Sequence, residues 1–547
     1  MSATSSTRSS AFESPSKHAG PALQLWGVLN TTPDSFSDGG EFTTLEQAVQ
    51  QAERLHAEGA DVLDTLGRVR REAAEPLTNY HVTRVRKLLR GGNAGVGAFV
   101  SDVRRDLGDS VLATRLTSSA TVAGLDWESA WQRRTWTVSG VLAGSSVRGR
   151  APAITRLQRA NYRSLQRPDA THLTFDPSRT SLGGHYGALA VAKSAGERFL
   201  GSVTYEETSP GFETNDIGFQ FRSDFRTVSS SFTWRDPLQS RLAREYELGV
   251  FSTHSDNFSG ERIEDRFAAR ASAVMLNFWE VEIFMNLSPQ TQNDRLLRGG
   301  PMARRPRASS TRMEIASDSR KPVVMNLSLS RAGDASGVAS NSTSLSLDWR
   351  VAPQARIRLG PSYEQQRTTG QYVQAVGDRF APAAFANSRY VFANVRQHEV
   401  RLDTRLDWIV SPWLSLQLFL QPFAATGRFS RFKEFTTPRR FEFVEYGRDR
   451  GVISEPLRGT VVVDPDGVGP SSPFVIPNQD FTVRALRGNA VFRWEFRPGS
   501  SVFLVWSQQR EQAFDDVRDN VTGQAARTFG DPGRHVFLVK FSRWIGR

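Results

Sequence analysis

Residues 400 to 420 read Val-Arg-Leu-Asp-Thr-Arg-Leu-Asp-Trp-Ile-Val-Ser-Pro-Trp-Leu-Ser-Leu-Gln-Leu-Phe-Leu. Val400, Leu402, Leu406, Trp408 and Val410 alternate with Arg401, Asp403, Arg405 and Asp407. After Ser411-Pro412 the alternation resumes, with Leu414, Leu416, Leu418 and Leu420 set against Ser415 and Gln417; Phe419 breaks the polar side. Successive side chains of a strand point to opposite faces, so this period of two describes strands with one apolar and one polar face. The proline between the runs marks a tight turn. The stretch is a β-hairpin whose strands, at about 9–11 residues, are long enough to cross a bilayer.

The same device recurs. Leu345, Leu347, Trp349 and Val351 alternate with Ser344, Ser346, Asp348 and Arg350, then turn at Pro353 into Ile357 and Leu359. Phe492, Trp494 and Phe496 alternate with Arg493 and Glu495, then turn at Pro498-Gly499 into Val502, Leu504 and Trp506. Trp349 with Pro353, Trp408 with Pro412 and Trp494 with Pro498 share one spacing, and Trp234 with Pro237 is a near variant. Tryptophan at a strand end beside a short turn fits the aromatic girdle of a membrane barrel. A soluble β-sandwich with proline turns is the competing reading; strands of this length with Arg and Asp on the second face favour the membrane. Ser288 to Arg312, Gly360 to Arg389 and Arg448 to Asp480, rich in Gly, Pro, Ser and Arg, read as long outer loops. The expected fold is mainly β, a large antiparallel outer-membrane-type barrel of roughly 16–20 strands over residues 77–547.

Composition agrees. Apolar residues make up 39% of the 547, below a typical value of about 45–50%. Yet there are 35 Phe and 12 Trp, which excludes a disordered chain. There is no cysteine, so disulfides and thiolate metal sites are excluded. The net charge of +12 comes from arginines dispersed among apolar positions. The densest cluster is Arg304-Arg305-Pro306-Arg307, and no nucleic-acid partner is expected. No apolar run approaches about 18 residues, so no transmembrane helix is expected. Residues 1–21 are Ser/Thr-rich and read as a disordered tail without the apolar core of a secretory signal. His172, His185, His254 and His398 are scattered and read as surface or lumen residues rather than ligands.

Residues 22–76 follow a different rule. Leu23 to Leu29 is a short apolar run ending at Asn30, and a turn-rich loop follows to Gly40. Thr44 with Gln47 makes a capping box for a helix carrying Leu45, Ala48, Val49, Ala52 and Leu55. Gly59 stops it, and Asp61 to Asp64 begins a second strand. Strand, helix, strand is one βαβ unit, of the kind that opens a (β/α)₈ barrel.

Within it, Leu25 to Gly40 reads Leu-Trp-Gly-Val-Leu-Asn-Thr-Thr-Pro-Asp-Ser-Phe-Ser-Asp-Gly-Gly. This resembles the signature of the dihydropteroate synthase (pterin-binding) family, which joins a pterin pyrophosphate to p-aminobenzoate. The resemblance implies that Asn30 lies near Mg²⁺. It places Thr32, Asp34, Ser35 and Phe36 on the loop over the p-aminobenzoate site and Arg71 on the second substrate loop. The sequence departs from the family at Leu66 to Glu72, where only Gly67 and Arg71 fit, and the later βα units are missing. Asn215 to Gly218 and Ser319 to Lys321 echo later family motifs but sit in strand-patterned sequence.

The rest resembles a bacterial outer-membrane barrel family of unknown function. The resemblance rests on Glu75-Pro76-Leu77-Thr78-Asn79-Tyr80, Gln166-Arg167-Pro168-Asp169-Ala170, Arg179 to Gly184 and Ser209 to Phe219. In that family a carbohydrate-binding-like sandwich precedes the barrel; here the resemblance implies a barrel without the sandwich or the earliest strands. Two truncated pieces fused in one chain is the reading these patterns favour. The barrel would then contact outer-membrane lipid and an unknown ligand and need no cofactor. One alternative makes the first segment a ligand-binding appendage or plug. The other is a working cytoplasmic synthase using Mg²⁺, pterin pyrophosphate and p-aminobenzoate.

Overall fold

The computed structural model describes residues 76–545, apart from 109, 197, 237–239, 458 and 519. These belong to one compact unit, Pro76–Arg547. The strands begin with β1 (Thr78–Leu89), β2 (Ala94–Arg105), β3 (Ser119–Trp131), β4 (Trp136–Arg148), β5 (Ser181–Lys193) and β6 (Phe199–Thr208). Next come β7 (Phe225–Asp236), β8 (Ala243–Asp256), β9 (Arg262–Met275), β10 (Glu280–Ser288), β11 (Thr291–Asn293) and β12 (Ala303–Arg305). They continue as β13 (Ala308–Ala316), β14 (Val323–Asp334), β15 (Ala339–Ala352), β16 (Ala355–Gly377), β17 (Ser388–Ser411) and β18 (Leu414–Phe435). The last are β19 (Phe443–Glu445), β20 (Val452–Leu457), β21 (Thr460–Asp464), β22 (Phe474–Ile476), β23 (Phe481–Arg497), β24 (Ser500–Phe514) and β25 (Arg534–Ser542). The helices are α1 (Ser110–Arg115), α2 (Ala151–Arg159) and α3 (Val521–Arg527).

Twenty strands form one barrel-type antiparallel sheet, wound up and down so that chain neighbours are sheet neighbours. The sheet skips the β11–β12 hairpin and the small β20–β21–β22 sheet, and β19 branches from β18. Among the described residues β1 pairs with β2 alone and β25 with β24 alone. Because direction alternates, the Pro353, Pro412 and Pro498 turns all lie at one end, as the repeated spacing predicts. Trp131, Trp136, Trp234, Trp279, Trp349, Trp408, Trp413 and Trp494 sit at this short-turn rim too. Pro237 lies outside the described residues.

The register turns the period of two into continuous rows. Val323, Trp349, Ile357, Leu406, Leu418, Ala490, Trp506 and Phe537 are each opposite the next across eight strands. Much of this face is open: Trp349 is 44% exposed, Leu504 45% and Phe537 75%. The other face carries ion pairs. Arg84 meets Asp126 at 2.9 Å, and Arg270 meets Glu247 at 2.9 Å and Glu282 at 2.6 Å. Arg358 lies 3.3 Å from Asp348. Phe419, the residue out of pattern, does lie on this face, where the Arg405 guanidinium stacks on its ring at 5.3 Å.

Among the described residues the buried apolar clusters lie at the opposite rim, where the long connections emerge. Ile154 and Gln158 of α2 are buried, with Val103, Val147, Leu165 and Leu182 around Ile154. Pro152 in the first turn suits the start of α2, because the amides there have no intrahelical partner. Phe392 packs edge-on against Tyr372, Phe435 and Phe443, beside Leu297 and Phe385. A third cluster joins Val391, Phe432 and Tyr446 to Val461, Val463 and Ile476 of the small sheet.

Three expectations are corrected. Gly360 to Gly377 is not loop but most of β16, paired with β17 up to Gly377 opposite Ser388. Its polar residues misled because pairing satisfies the backbone whatever the side chains are. Residues 448–480 carry β20 to β22 rather than plain loop. Asn215 to Gly218 and Ser319 to Lys321 fall in the β6–β7 and β13–β14 connections, not in strands. Phe392→Ala, at a fully buried ring, should destabilise the long-connection rim by about 3–5 kcal/mol. Faster proteolytic nicking of residues 435–480 than in the parent checks this.

Candidate functional site

The connection from β4 to β5 (149–180) places Tyr162, Arg163 and Arg167 at the long-connection rim, and the one from β6 to β7 (209–224) places Glu213, Arg222 and Asp224. Asp294 and Arg295 come from the β10–β13 connection (289–307). Glycine lets the strand and the second connection meet. A Cβ on Gly184 would stand 2.2 Å from the Phe212 amide, and one on Gly211 2.2 Å from the Gly183 carbonyl. This contact delivers Glu213 to the interior.

Arg163 and Glu213 are wholly buried, at 2.8 Å. The same carboxylate oxygen accepts from the Tyr162 hydroxyl at 2.7 Å, and the other accepts from the Asn215 amide at 2.8 Å. Burial, reinforced by Glu213, pushes the Tyr162 hydroxyl up to about 12. Beside this pair, Asp294 contacts Arg222 and lies 3.2 Å from Arg167. Burial raises the Asp294 carboxyl, but Arg222 and Arg167 outweigh it and hold the group below its ordinary value. Arg295 donates to the Tyr162 carbonyl at 3.2 Å, tying the two pairs together. Burial and the nearby Arg222 charge lower Arg295 to about 10.

Four guanidinium groups thus gather around three carboxylates, Glu213, Asp294 and Asp169, the last 3.7 Å from Arg167, an excess of positive charge in a poorly solvated layer. Arg163 Nε and Nη1, Arg167 Nη2 and Arg222 Nε have no hydrogen-bond partner among the described residues, and Arg167 Nε has only the Asp169 carboxylate at 3.7 Å. Spare buried guanidinium donors suit an anion or ordered water. A second network lies at the same rim: Arg389 reaches Asp378 at 2.7 Å, Glu434 at 2.8 Å and Ser471 at 3.0 Å. Next to it opens a cleft of ≈ 410 Å³ lined by Val376, Asp378, Arg379, Phe380, Ser472 and Phe474.

Asn30, Thr32, Asp34, Ser35, Phe36 and Arg71 lie outside the described residues. Among the described residues no group of three or more His, Asp or Glu side chains could hold a metal ion. His172 pairs with Asp224 at 2.9 Å and His185 with Glu207 at 3.2 Å; His254 contacts Asp265, and the Tyr363 hydroxyl lies 2.9 Å from His398. The ionic layer escaped residue-by-residue reading because charged residues in Gly/Pro-rich connections look solvated. The available signal was the pair of stretches Gln166 to Ala170 and Ser209 to Phe219, which lie in the two connections that Arg163 and Glu213 join.

Glu213→Gln leaves Arg163 buried without its counter-charge and should cost about 3–5 kcal/mol, read from the denaturant midpoint. The Asp294 pairing stabilises above the unfolded carboxylate value near 3.9 and is lost as pH falls through the lowered folded value. The rim should therefore melt at a lower temperature below about pH 4 than at pH 7.

Comparison with known proteins gives two unequal matches. The first is to enzymes. A dihydropteroate synthase of Synechocystis is 46% identical over 59 residues, 11% of this chain and 20% of that protein. The folic acid synthesis protein FOL1 of Dictyostelium discoideum is 56% identical over 43 residues, 8% of this chain and 6% of that one. The chain spans a fifth or less of these curated relatives. Among solved structures, the siderophore receptor PirA of Acinetobacter baumannii gives a TM-score of 0.35 at 9% identity, covering 80% of this chain and 74% of that one. The FrpB iron transporter of Neisseria meningitidis gives 0.36 at 7% identity, covering 78% and 74%. Likeness this distant transfers no function. The second match spans nearly the whole chain: with residues 55–546 matched, it belongs to the family described as Domain of unknown function (DUF5916).

Proposed function

We propose that the described unit is the wall of an outer-membrane β-barrel that binds or passes a solute at its long-connection rim. The observation that supports this most is the exposed apolar face, crossed by unbroken rows and edged by tryptophans at one rim only. In water such a face would be an aggregation surface far larger than monomers tolerate; in lipid it is the required one, and the ion-paired face then lines the lumen. By the same pattern the short turns are periplasmic and the long connections external. The gathered arginines favour an anionic solute.

Spin labels check the assignment. Labels at Leu416 and Leu504 should be oxygen-accessible and shielded from a water-soluble relaxant in vesicles, while labels at Arg405 and Gln417 should show the reverse. Equal water accessibility at both sets would sink it.

The synthase-like segment is a second reading, favoured by the 46% identity over 59 residues. We propose that it is a fused, truncated piece without catalysis. A pterin pyrophosphate needs donors and acceptors from many strand ends of a barrel, and the sequence after residue 76 supplies antiparallel strands instead. A single Asn30 contact contributes about 0.5–1.5 kcal/mol net, too little to hold a ligand. The purified chain, given Mg²⁺, pterin pyrophosphate and p-aminobenzoate, should form no dihydropteroate above background. Turnover abolished by Asn30→Ala would restore the enzyme reading.

A further inference from the structure

The apolar face ends abruptly on the β14–β18 side. Its uppermost apolar positions are Leu329, Tyr363 and Val400, Tyr363 standing directly opposite Val400. Two residues higher on the same face runs Arg331, Asn341, Gln365, His398 and Thr426. Two higher again, Arg367 stands opposite Arg396. Neither row contains a carboxylate. Like charges directly opposite each other across a sheet repel. In the same sheet Arg270, by contrast, is matched by Glu247 and Glu282. Arg367 and Arg396 are exposed, make no ion pair among the described residues, and border a recess of ≈ 300 Å³ with Gln365 and His398.

Height supplies the second argument. Arg396 is twelve residues above Trp408, the girdle residue at the short-turn rim. At about 3.4 Å per residue and a tilt of about 40°, that is about 31 Å along the membrane normal. The apolar band of such barrels is about 25 Å tall, so the arginines stand just beyond it, at headgroup level. Guanidinium groups recognise phosphate through forked, charge-assisted hydrogen bonds.

We propose that Arg367 and Arg396, on the outside of the wall, bind the phosphate of an anionic lipid headgroup, with Gln365 and His398 as flanking polar contacts. The inference rests on the membrane reading above. It is separate from the buried arginine layer, which lies inside the rim connections.

The test is flotation of the full chain with phosphatidylcholine vesicles, with and without phosphatidic acid. The parent should prefer the phosphatidic acid vesicles, and Arg367→Gln/Arg396→Gln should lower that preference roughly thirtyfold, about fivefold for each basic residue near an anionic surface. Arg312→Gln, on the opposite face, should leave it unchanged. If the double variant keeps the parent's preference, the inference fails while the membrane reading stands. If the parent floats with neither vesicle, both fail. If inorganic phosphate at millimolar concentration abolishes the preference, the site reads free phosphate and the lipid assignment is overturned.

Discussion

Everything in this fold depends on satisfying backbone N–H and C=O groups between strands that are consecutive in the chain. A sheet pairs its backbone with its neighbours, so its two faces are free to take opposite chemistries. The period-two pattern then fixes register, because a slip of one residue would turn Leu406 and Leu418 to the charged face and Arg405 to the apolar one. Seen this way, the rows from Val323 to Phe537 follow from alternation and short turns together. Neither alone would align them.

The wall and the rim are stabilised differently. The wall has little packed core of its own; its side chains stand out from one sheet, apolar on one face and ion-paired on the other. At the rim the connections bury Ile154, Phe392 and Ile476 fully and lock Arg163 to Glu213 and Arg389 to Glu434. Buried ion pairs add little net stability, but breaking one is expensive, so they specify which connection meets which. Such a layer holds long loops in fixed positions while leaving surplus positive charge and unpaired donors.

The two similarities in this chain concern very different lengths. The enzyme resemblance rests on 43 to 59 residues, while the family match runs from residue 55 to 546. A catalytic site of the synthase kind draws on the ends of many parallel strands, and an up-and-down antiparallel sheet has no equivalent positions to offer.

The sequence alone determined the wall: strand length, alternation and the Trp-to-Pro spacing are local properties, so Leu402 and Arg405 could be assigned to opposite faces and the Pro turns to one rim. It overestimated loop at Gly360 to Gly377, where polar side chains hide a paired backbone. What only the tertiary structure decided is everything that depends on residues far apart meeting. Arg163 finds Glu213 fifty positions on because Gly184 and Gly211 let a strand and a connection touch. Arg222 and Arg167 find Asp294 across three connections. Arg367 and Arg396 are thrown together by register alone. Period and turn chemistry act within about ten residues and are written in order along the chain. Charge pairing and burial act through space, and the chain carries no local mark of which distant partner the fold will supply.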